Sequence, residues 1–230
     1  MKEKWLKKIS SCVLFKNINE EQLDSMLSCL DPDVREYKKN EYITLEGEKY
    51  KGVGIILSGE VVVTKENASG NRVIIEVLSA GGMFGEMVAF AGSNLWPATV
   101  IAQKECRVMF LPPDKIVGSC GNSCASHQQL IRNMLKIISQ KALMLNRKVE
   151  YLSIRTMRGK ISNFLLEQYK KNKKTTFMLP LKRNELAEFL NVSRPSLSRE
   201  MCRMRDEGII DFHRSSIQIK DLDALKEMVD

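Results

Sequence analysis

Residues 181–221 read "LKRNELAEFLNVSRPSLSREMCRMRDEGIIDFHRSSIQIKD", and this stretch decides the fold. Leu186, Phe189 and Leu190 give a first short helix an apolar face. Asn191 can take the left-handed conformation that ends it. Ser193 is a good N-cap for a second helix. Pro195 is tolerated in that helix's first turn, because the amide it lacks would have no helical partner there. In the second helix Leu197, Met201 and Met204 fall on one side. At about 100° per residue, Arg199 points away from them, with Ser196 and Arg203 nearby and Arg194 at the exposed N-terminal end. Beyond it, "IIDFHRSSIQIKD" alternates apolar and polar residues around "HRSS", which predicts a two-stranded wing whose tip, with His213 and Arg214, can touch phosphate. Helix, turn, helix and wing in that order predict a recognition helix entering the major groove by its N-terminal residues. The arginine fork can bond two acceptors on guanine. The plainer reading makes these arginines the solvated face of a surface helix.

Charge distribution favours the first reading. The 230-residue chain carries a formal net charge of +8. From Arg155 to Lys220 there are fifteen Lys/Arg against seven Asp/Glu, so the C-terminal third holds the whole excess. A basic segment of this kind suits a polyanion. Apolar residues at 43% and charged residues at 28% give an ordinary globular mix. The N-terminal apolar run is cut at Lys16 and lacks a small-residue cleavage site, so no signal peptide is expected. No window is long and apolar enough for a membrane span. A cytoplasmic protein with reduced cysteines is expected.

Upstream the periodicity changes twice. Leu23, Met26, Leu27 and Leu30 have helical spacing before "DPD". From Val34 to Leu111, short β-type runs alternate with glycine ("EYITLEGE", "GVGIILSGEVVVTKE", "NRVIIEVLS", "ATVIAQKECRVMFLP"), and "ENASGN" reads as a hairpin turn. Such strands predict an antiparallel roll or barrel. A long helix follows from about Ser126 to Leu152. In it Ile131, Leu135, Ile138, Ala142, Leu145, Val149 and Leu152 repeat with heptad spacing, which predicts a seam that pairs two copies. A second stripe runs through Leu130, Met134, Ile137, Met144 and Tyr151, so one stripe can face a partner and the other the roll. Burial of both faces within one monomer is the alternative. The polar break "SIRTMRG" precedes a helix "KISNFLLEQYKK", a strand-like "TTFMLP" and the helix-turn-helix. The expected fold is α+β: a jelly-roll-like antiparallel β-roll with N-terminal helices (1–125), a long dimerisation helix (126–152) and a winged helix-turn-helix (153–230).

In this order and spacing the chain resembles the Crp/Fnr family of bacterial transcription regulators, over nearly its whole length. "SRPSLSRE" and "GGMFGEM" are the most specific residues. The resemblance implies that Arg199 reads guanine in each half-site of an inverted repeat, with Ser198 beside it and Arg194 assisting. Ser193 and Ser196 would hold the DNA backbone, and Arg203 and Arg214 join the interface. Pro195 stands where the family often has a base-reading glutamate, which leaves the exact operator open, while a related inverted repeat with half-sites about one helical turn apart is still expected. Double-stranded DNA, a second copy and RNA polymerase are the implied partners. An effector in the roll would shift the long helices and reorient the recognition helices, with "SIRTMRG" as the hinge.

The resemblance also assigns an effector pocket: Gly85, Glu86, Met87, Trp96, Pro97, Ala98 and Thr99. In cyclic-nucleotide-binding members, the segment matching "FGEM" wraps sugar and cyclic phosphate, and an Arg-Ser pair ten residues after the glutamate completes the site. Glu86 matches the glutamate, but Trp96 and Pro97 stand where the pair would be. Burying a phosphate without its charge-assisted partners costs several kcal/mol. Cyclic AMP and cyclic GMP are therefore not expected to bind in the usual way, and the effector is left unnamed. Either a flat or apolar small molecule stacks on the indole, or Trp96 fills the space. Glu86 could likewise cap a short helix.

Cysteines give the rival reading. Some relatives hold an iron–sulfur cluster through a cysteine group near the N-terminus, but here only Cys12 and Cys29 lie there, so no cluster is expected. In "CGNSCASH", Cys120, Cys124 and His127 are close enough to ligate zinc or haem iron, or to make the chain a redox sensor. The bland alternative is polar residues at a helix start, and no metal is assigned. No paired carboxylates at catalytic spacing and no nucleophile motif appear, which argues against an enzyme.

Overall fold

The computed structural model describes residues 9–66, 72–118 and 125–229. Its chain forms two compact units, Met1–Gln140 and Lys141–Asp230. The α+β expectation holds, with an antiparallel roll, a long helix and a C-terminal helix-turn-helix.

In the first unit helix α1 (Glu20–Leu30) is opened by a capping box. Asn19 Oδ1 accepts from the Gln22 amide at 2.8 Å, and Gln22 Oε1 accepts from the Asn19 amide at 3.2 Å. It ends at Asp31, which takes the left-handed conformation. The roll follows as β1 (Asp33–Tyr37), β2 (Tyr42–Thr44), β3 (Val53–Ser58), β4 (Glu60–Glu66), β5 (Arg72–Ser79) and β6 (Met83–Phe84). A short helix α2 (Glu86–Ala89) separates these from β7 (Thr99–Ala102) and β8 (Cys106–Leu111). One antiparallel sheet has the order β1-β8-β3-β6 and the other β2-β7-β4-β5. Strands β4 and β5 pair as a hairpin from Glu60↔Ser79 to Glu66↔Arg72, while the "ENASGN" tip beyond Glu66 lies largely outside the described residues.

The period-2 alternation of a strand explains the burial. Ile56, Val108 and Phe110 enter the inner core with Tyr37, Phe84, Trp96 and Val100. Their neighbours Val53, Ile55, Leu57, Met109 and Leu111 join a second core with Leu14, Leu23, Met26 and Leu30. Strand β3 is covered on both faces, so it reads as a continuous apolar run. Gly54 is fixed by the same packing: a Cβ there would lie 2.3 Å from the Phe84 ring.

Helix α3 (Pro113–Val117) precedes the long helix α4 (Ala125–Ser153), whose bounds fall within one residue of those expected. Leu130, Met134 and Ile137 are buried in the first unit's outer core. Met144, from the same stripe, is exposed, and Tyr151 is buried in the second unit's core. Along the heptad seam, Leu135, Leu145, Val149 and Leu152 are 46–64% exposed. Ala142 is exposed too, and Ile131 and Ile138 are half-buried.

The second unit continues with α5 (Met157–Asn172), β9 (Thr176–Met178), α6 (Arg183–Leu190) and α7 (Arg194–Asp206). Strands β10 (Ile210–His213) and β11 (Ser216–Ile219) and helix α8 (Leu222–Glu227) complete it. Its sheet has the order β10-β11-β9. Helix α5 starts three residues earlier than the run "KISNFLLEQYKK" suggests. Thr156 is its N-cap, with Oγ1 accepting from the Gly159 amide at 2.9 Å. Only Ile154–Thr156 of "SIRTMRG" therefore stays non-helical.

Candidate nucleic-acid interface and effector pocket

Helix α7 owes its start to two backbone choices. Asn191 adopts φ 53°, ψ 52° at the end of α6, a conformation asparagine tolerates. Ser193 is extended, and its Oγ accepts from the Ser196 amide at 3.2 Å. Leu197, Met201 and Met204 are 0% exposed, so one side of the helix is wholly taken up by the core. The other side carries charge. Arg194, Arg199 and Arg203 are exposed, as is Ser193, and Ser196 and Ser198 are half-buried beside them. The Ser193 hydroxyl donates to Ser196 Oγ at 2.8 Å, and Arg199 Nη2 donates to the same oxygen at 3.2 Å. This row holds the Arg199 guanidinium along the N-terminal half of the exposed face.

The wing turns in two residues, Arg214 and Ser215, between the paired His213 and Ser216. Arg214 is exposed with φ 54°, a left-handed conformation that costs a side-chain-bearing residue about 1–2 kcal/mol. Below the tip, the guanidinium carbons of Arg183 and Arg205 lie 5.2 and 5.5 Å from the Phe212 ring centroid, within cation–π range. Burial lowers the pKa of Arg183.

In the roll, Trp96 is 3% exposed. Its amide donates to the Glu48 carbonyl at 2.8 Å, and its carbonyl accepts from the Gly47 amide at 2.9 Å. Its ring lies 4.7 Å from Tyr50 and 5.8 Å from Phe84. Gly85 turns from β6 into α2 with φ 82°, and a Cβ there would lie 2.7 Å from the indole. The glycine turn thus seats the indole. The Tyr50 hydroxyl donates to the Gly85 carbonyl at 3.0 Å. Burial, and then the Glu86 carboxylate, push the phenol above its ordinary range. Glu86 is 2% exposed. Ala98 is buried and Thr99 half-buried at the start of β7, where Thr99 Oγ1 accepts from the Glu46 amide at 3.1 Å. Met87 and Pro97 lie at the surface. So Gly85, Glu86 and Trp96 converge, joined by Phe84, the first residue of "FGEM", and by Tyr50, which reading by motif passed over.

Comparison with known proteins agrees with this architecture. Residues 34–120 match the family described as "Cyclic nucleotide-binding domain", and residues 159–228 match "Crp-like helix-turn-helix domain". The chain is 21% identical over 223 residues to the Cyclic AMP receptor protein of Thermus thermophilus, covering 94% of this chain and 95% of that one. It is 20% identical over 190 residues to the cAMP-activated global transcriptional regulator CRP of Pasteurella multocida, covering 81% of this chain and 89% of the relative. The crystal structure of Thermus thermophilus Catabolite Activator Protein superposes with a TM-score of 0.55 at 19% identity, over 94% of this chain and 98% of that one. The chain belongs to the Crp/Fnr family. It is a Crp/Fnr-type transcription regulator with a DNA-binding helix-turn-helix.

Two polar clusters in this Crp/Fnr chain lie off the expected face. Arg158, in the first turn of α5, donates from Nε to Glu200 Oε1 at 2.7 Å. Its Nη1 and Nη2 donate to the two carboxylate oxygens of Glu207 at 2.6 and 2.8 Å. Glu207 and Glu200 hold the guanidinium's pKa above its ordinary value, and Arg158 holds the Glu207 carboxyl below the usual range. At the end of α4, the hydroxyl of the fully buried Tyr151 donates to Glu167 Oε1 at 2.7 Å, and Arg147 pairs with Glu167 Oε2. The Arg147 guanidinium also lies 5.1 Å from the Phe189 ring centroid. The only sequence signal for the first cluster was an arginine inside the polar break.

Cys120 and Cys124 lie outside the described residues. His127 is buried, and its Nε2 donates to the Ile116 carbonyl at 2.9 Å. Among the described residues, no three His, Cys, Asp or Glu side chains cluster as a metal site, and no helix is long and apolar enough to cross a membrane.

Proposed function

We propose that the chain acts as a homodimer that reads an inverted-repeat DNA operator through Arg199, with Arg194 and Ser198 beside it. Ser193, Ser196, Arg203 and the wing's Arg214 contact the backbone. The single observation that carries this is the division of α7. One side is buried to 0% exposure at Leu197, Met201 and Met204, and the other presents three exposed arginines. The heptad seam of α4 (Ile131, Leu135, Ile138, Ala142, Leu145, Val149, Leu152), exposed at all but the half-buried Ile131 and Ile138, supports pairing of two copies, because an apolar stripe at this spacing is what coiled-coil partners bury. The working division is an effector roll (1–125), a dimer helix (126–152) and a DNA-binding domain (153–230), with RNA polymerase as the protein partner.

The roll does not take cyclic AMP in the usual way. Trp96 occupies the space under the glycine turn with its own ring, so a nucleotide there would have to displace a buried side chain and leave its phosphate without a cation. Both terms oppose binding. Selection from random duplexes should yield a two-fold symmetric site with half-sites about one helical turn apart. Arg199→Ala should lower base discrimination by about 1–3 kcal/mol per half-site. An Arg199→Ala chain that keeps full sequence preference refutes the interface, and micromolar cyclic AMP affinity by calorimetry refutes the plugged pocket.

A further inference from the structure

Arg158 and Glu207 both oppose the local electrostatics of their helices. A helix N-terminus carries partial positive charge and disfavours an arginine in its first turn, and a C-terminus disfavours a carboxylate. Arg158 lies in the first turn of α5, and Glu207 is the C-cap of α7. Neither placement helps its own helix. They make sense as a bond between helices: a bidentate fork on Glu207 and a third donor on Glu200, all within 2.6–2.8 Å.

Glu200 and Glu207 are seven residues apart, so they lie on the same flank of α7, two turns from each other. The Glu200 and Arg158 side chains are only 14% and 29% exposed. The core residues Leu197, Met201 and Met204 set how deeply α7 sits, but apolar contacts are non-directional and resist rotation or axial sliding weakly. Directional bonds at two points of one flank oppose both. Arg199 is the next residue to Glu200. A rotation of about 20° moves a side-chain tip, about 5–6 Å from the helix axis, by about 2 Å. That exceeds the distance window of a hydrogen bond.

We propose that Arg158 is a positioning residue for sequence reading: by clamping Glu200 and Glu207 it fixes the rotation and register of α7, and so the aim of Arg199, without touching DNA. This rests on the DNA-binding reading above. The test measures operator and random-duplex affinities of the full chain, well below its melting temperature. Arg158→Gln should lower the operator-to-random ratio by about tenfold or more, equivalent to about 1.4 kcal/mol. Arg158→Lys keeps the charge but cannot reproduce the bidentate fork on Glu207 together with the bond to Glu200, so it should stay near the Gln variant; full rescue by Lys would overturn the clamp. Glu200→Gln with Glu207→Gln removes the clamp from the α7 side and keeps Arg158 in place. Losing two negative charges should strengthen random-duplex binding while the ratio still falls, a split that general destabilisation does not produce. This pair also serves if Arg158→Gln fails to fold, and a wild-type ratio in it overturns the proposal. A wild-type chain with no preference among duplexes would sink the DNA reading itself, and this role with it. Wild-type preference retained in every variant would sink the clamp alone.

Discussion

Replacing Trp96 separates a core plug from a ligand platform. An aromatic side chain of this size buries about 150–250 Å², which at about 25 cal/mol per Å² amounts to about 4–6 kcal/mol. Measured Phe/Trp→Ala losses of about 3–5 kcal/mol bracket what Trp96→Ala should remove from the roll, given 3% exposure and contacts to Tyr50 and Phe84. Trp96→Phe is the sharper probe. The indole Nε1 is buried with no hydrogen-bond partner among the described residues, and such a donor costs about 1–3 kcal/mol. Phenylalanine removes that penalty while losing about a third of the area, about 1–2 kcal/mol. The net change should lie within about 1 kcal/mol of zero. Because the chain has two compact units, a single melting curve is a poor assay. Urea-dependent hydrogen exchange at β3 and β8 amides reports on the roll itself. A Trp96→Ala loss under about 1 kcal/mol, or a Phe variant as damaged as the Ala one, refutes the reasoning. Added indole should restore part of the Ala variant's stability, since an apolar cavity of ring size takes up a matching ligand.

Three other perturbations follow from the same geometry. Leu135→Glu with Val149→Glu puts charge at two seam positions that are 61% and 64% exposed in the single chain. Light scattering should show the dimer mass fall to one copy, and an unchanged mass would discard the seam. Arg214→Gly relieves the left-handed backbone penalty of about 1–2 kcal/mol, so the wing should gain stability while DNA affinity drops. A gain in stability with unchanged affinity would remove Arg214 from the interface. Burial, and then Glu41, raise the Cys106 thiol to about 11 from 9.0. The folded chain then holds this proton more tightly than the unfolded chain, so stability should fall as pH rises from about 9 to about 11. In Cys106→Ala that slope should flatten, and a slope equal to wild type would show that another group is responsible.

The helix-turn-helix was legible because its signals are local: a left-handed asparagine, a serine cap, and apolar residues at spacings of three and four. The roll was legible as alternation punctuated by glycine. Its run "ATVIAQKECRVMFLP" divides into β7 and β8, because the polar Gln103–Glu105 turn interrupts it. The start of α5 was misjudged because its cap is a threonine inside a run that looks like a linker, and the Thr156–Gly159 bond has no signature beyond residue type. The pocket was half legible. The departure at Trp96 and Pro97 could be read by spacing, but Tyr50 lies 35 residues from Gly85 in sequence, and only the folded roll brings it under the indole. The Arg158 clamp was invisible for the same reason, its partners lying 42 and 49 residues away.

Helix α4 is held at its two ends by different cores, and this decides where a change of state has least to break. Near its start Leu130, Met134 and Ile137 are buried in the first unit's core, and Asn133 Nδ2 fixes its rotation by donating to the carbonyls of Leu14 and Lys16 at 2.8 Å each. Since Leu135 and Ile138 follow Met134 and Ile137 by one residue, about 100° around the axis, the roll's core also sets the direction of the seam. Near its end, Tyr151 is fully buried in the second unit's core and bonded to Glu167. Between these anchors Leu143, Met144 and Leu145 are 68%, 58% and 46% exposed, and the boundary between the compact units falls at Gln140–Lys141. A switch at Ile154–Thr156 would work against the Thr156 cap and the packing of Ile154 and Met157 on the second core. A bend or rotation near Lys141 disturbs the helix's own hydrogen bonds, the contact that Lys141 itself makes and whatever the seam pairs with. For an effector that acts by differential affinity for two arrangements, residues 139–150 are the part of α4 with no buried side chain to repack.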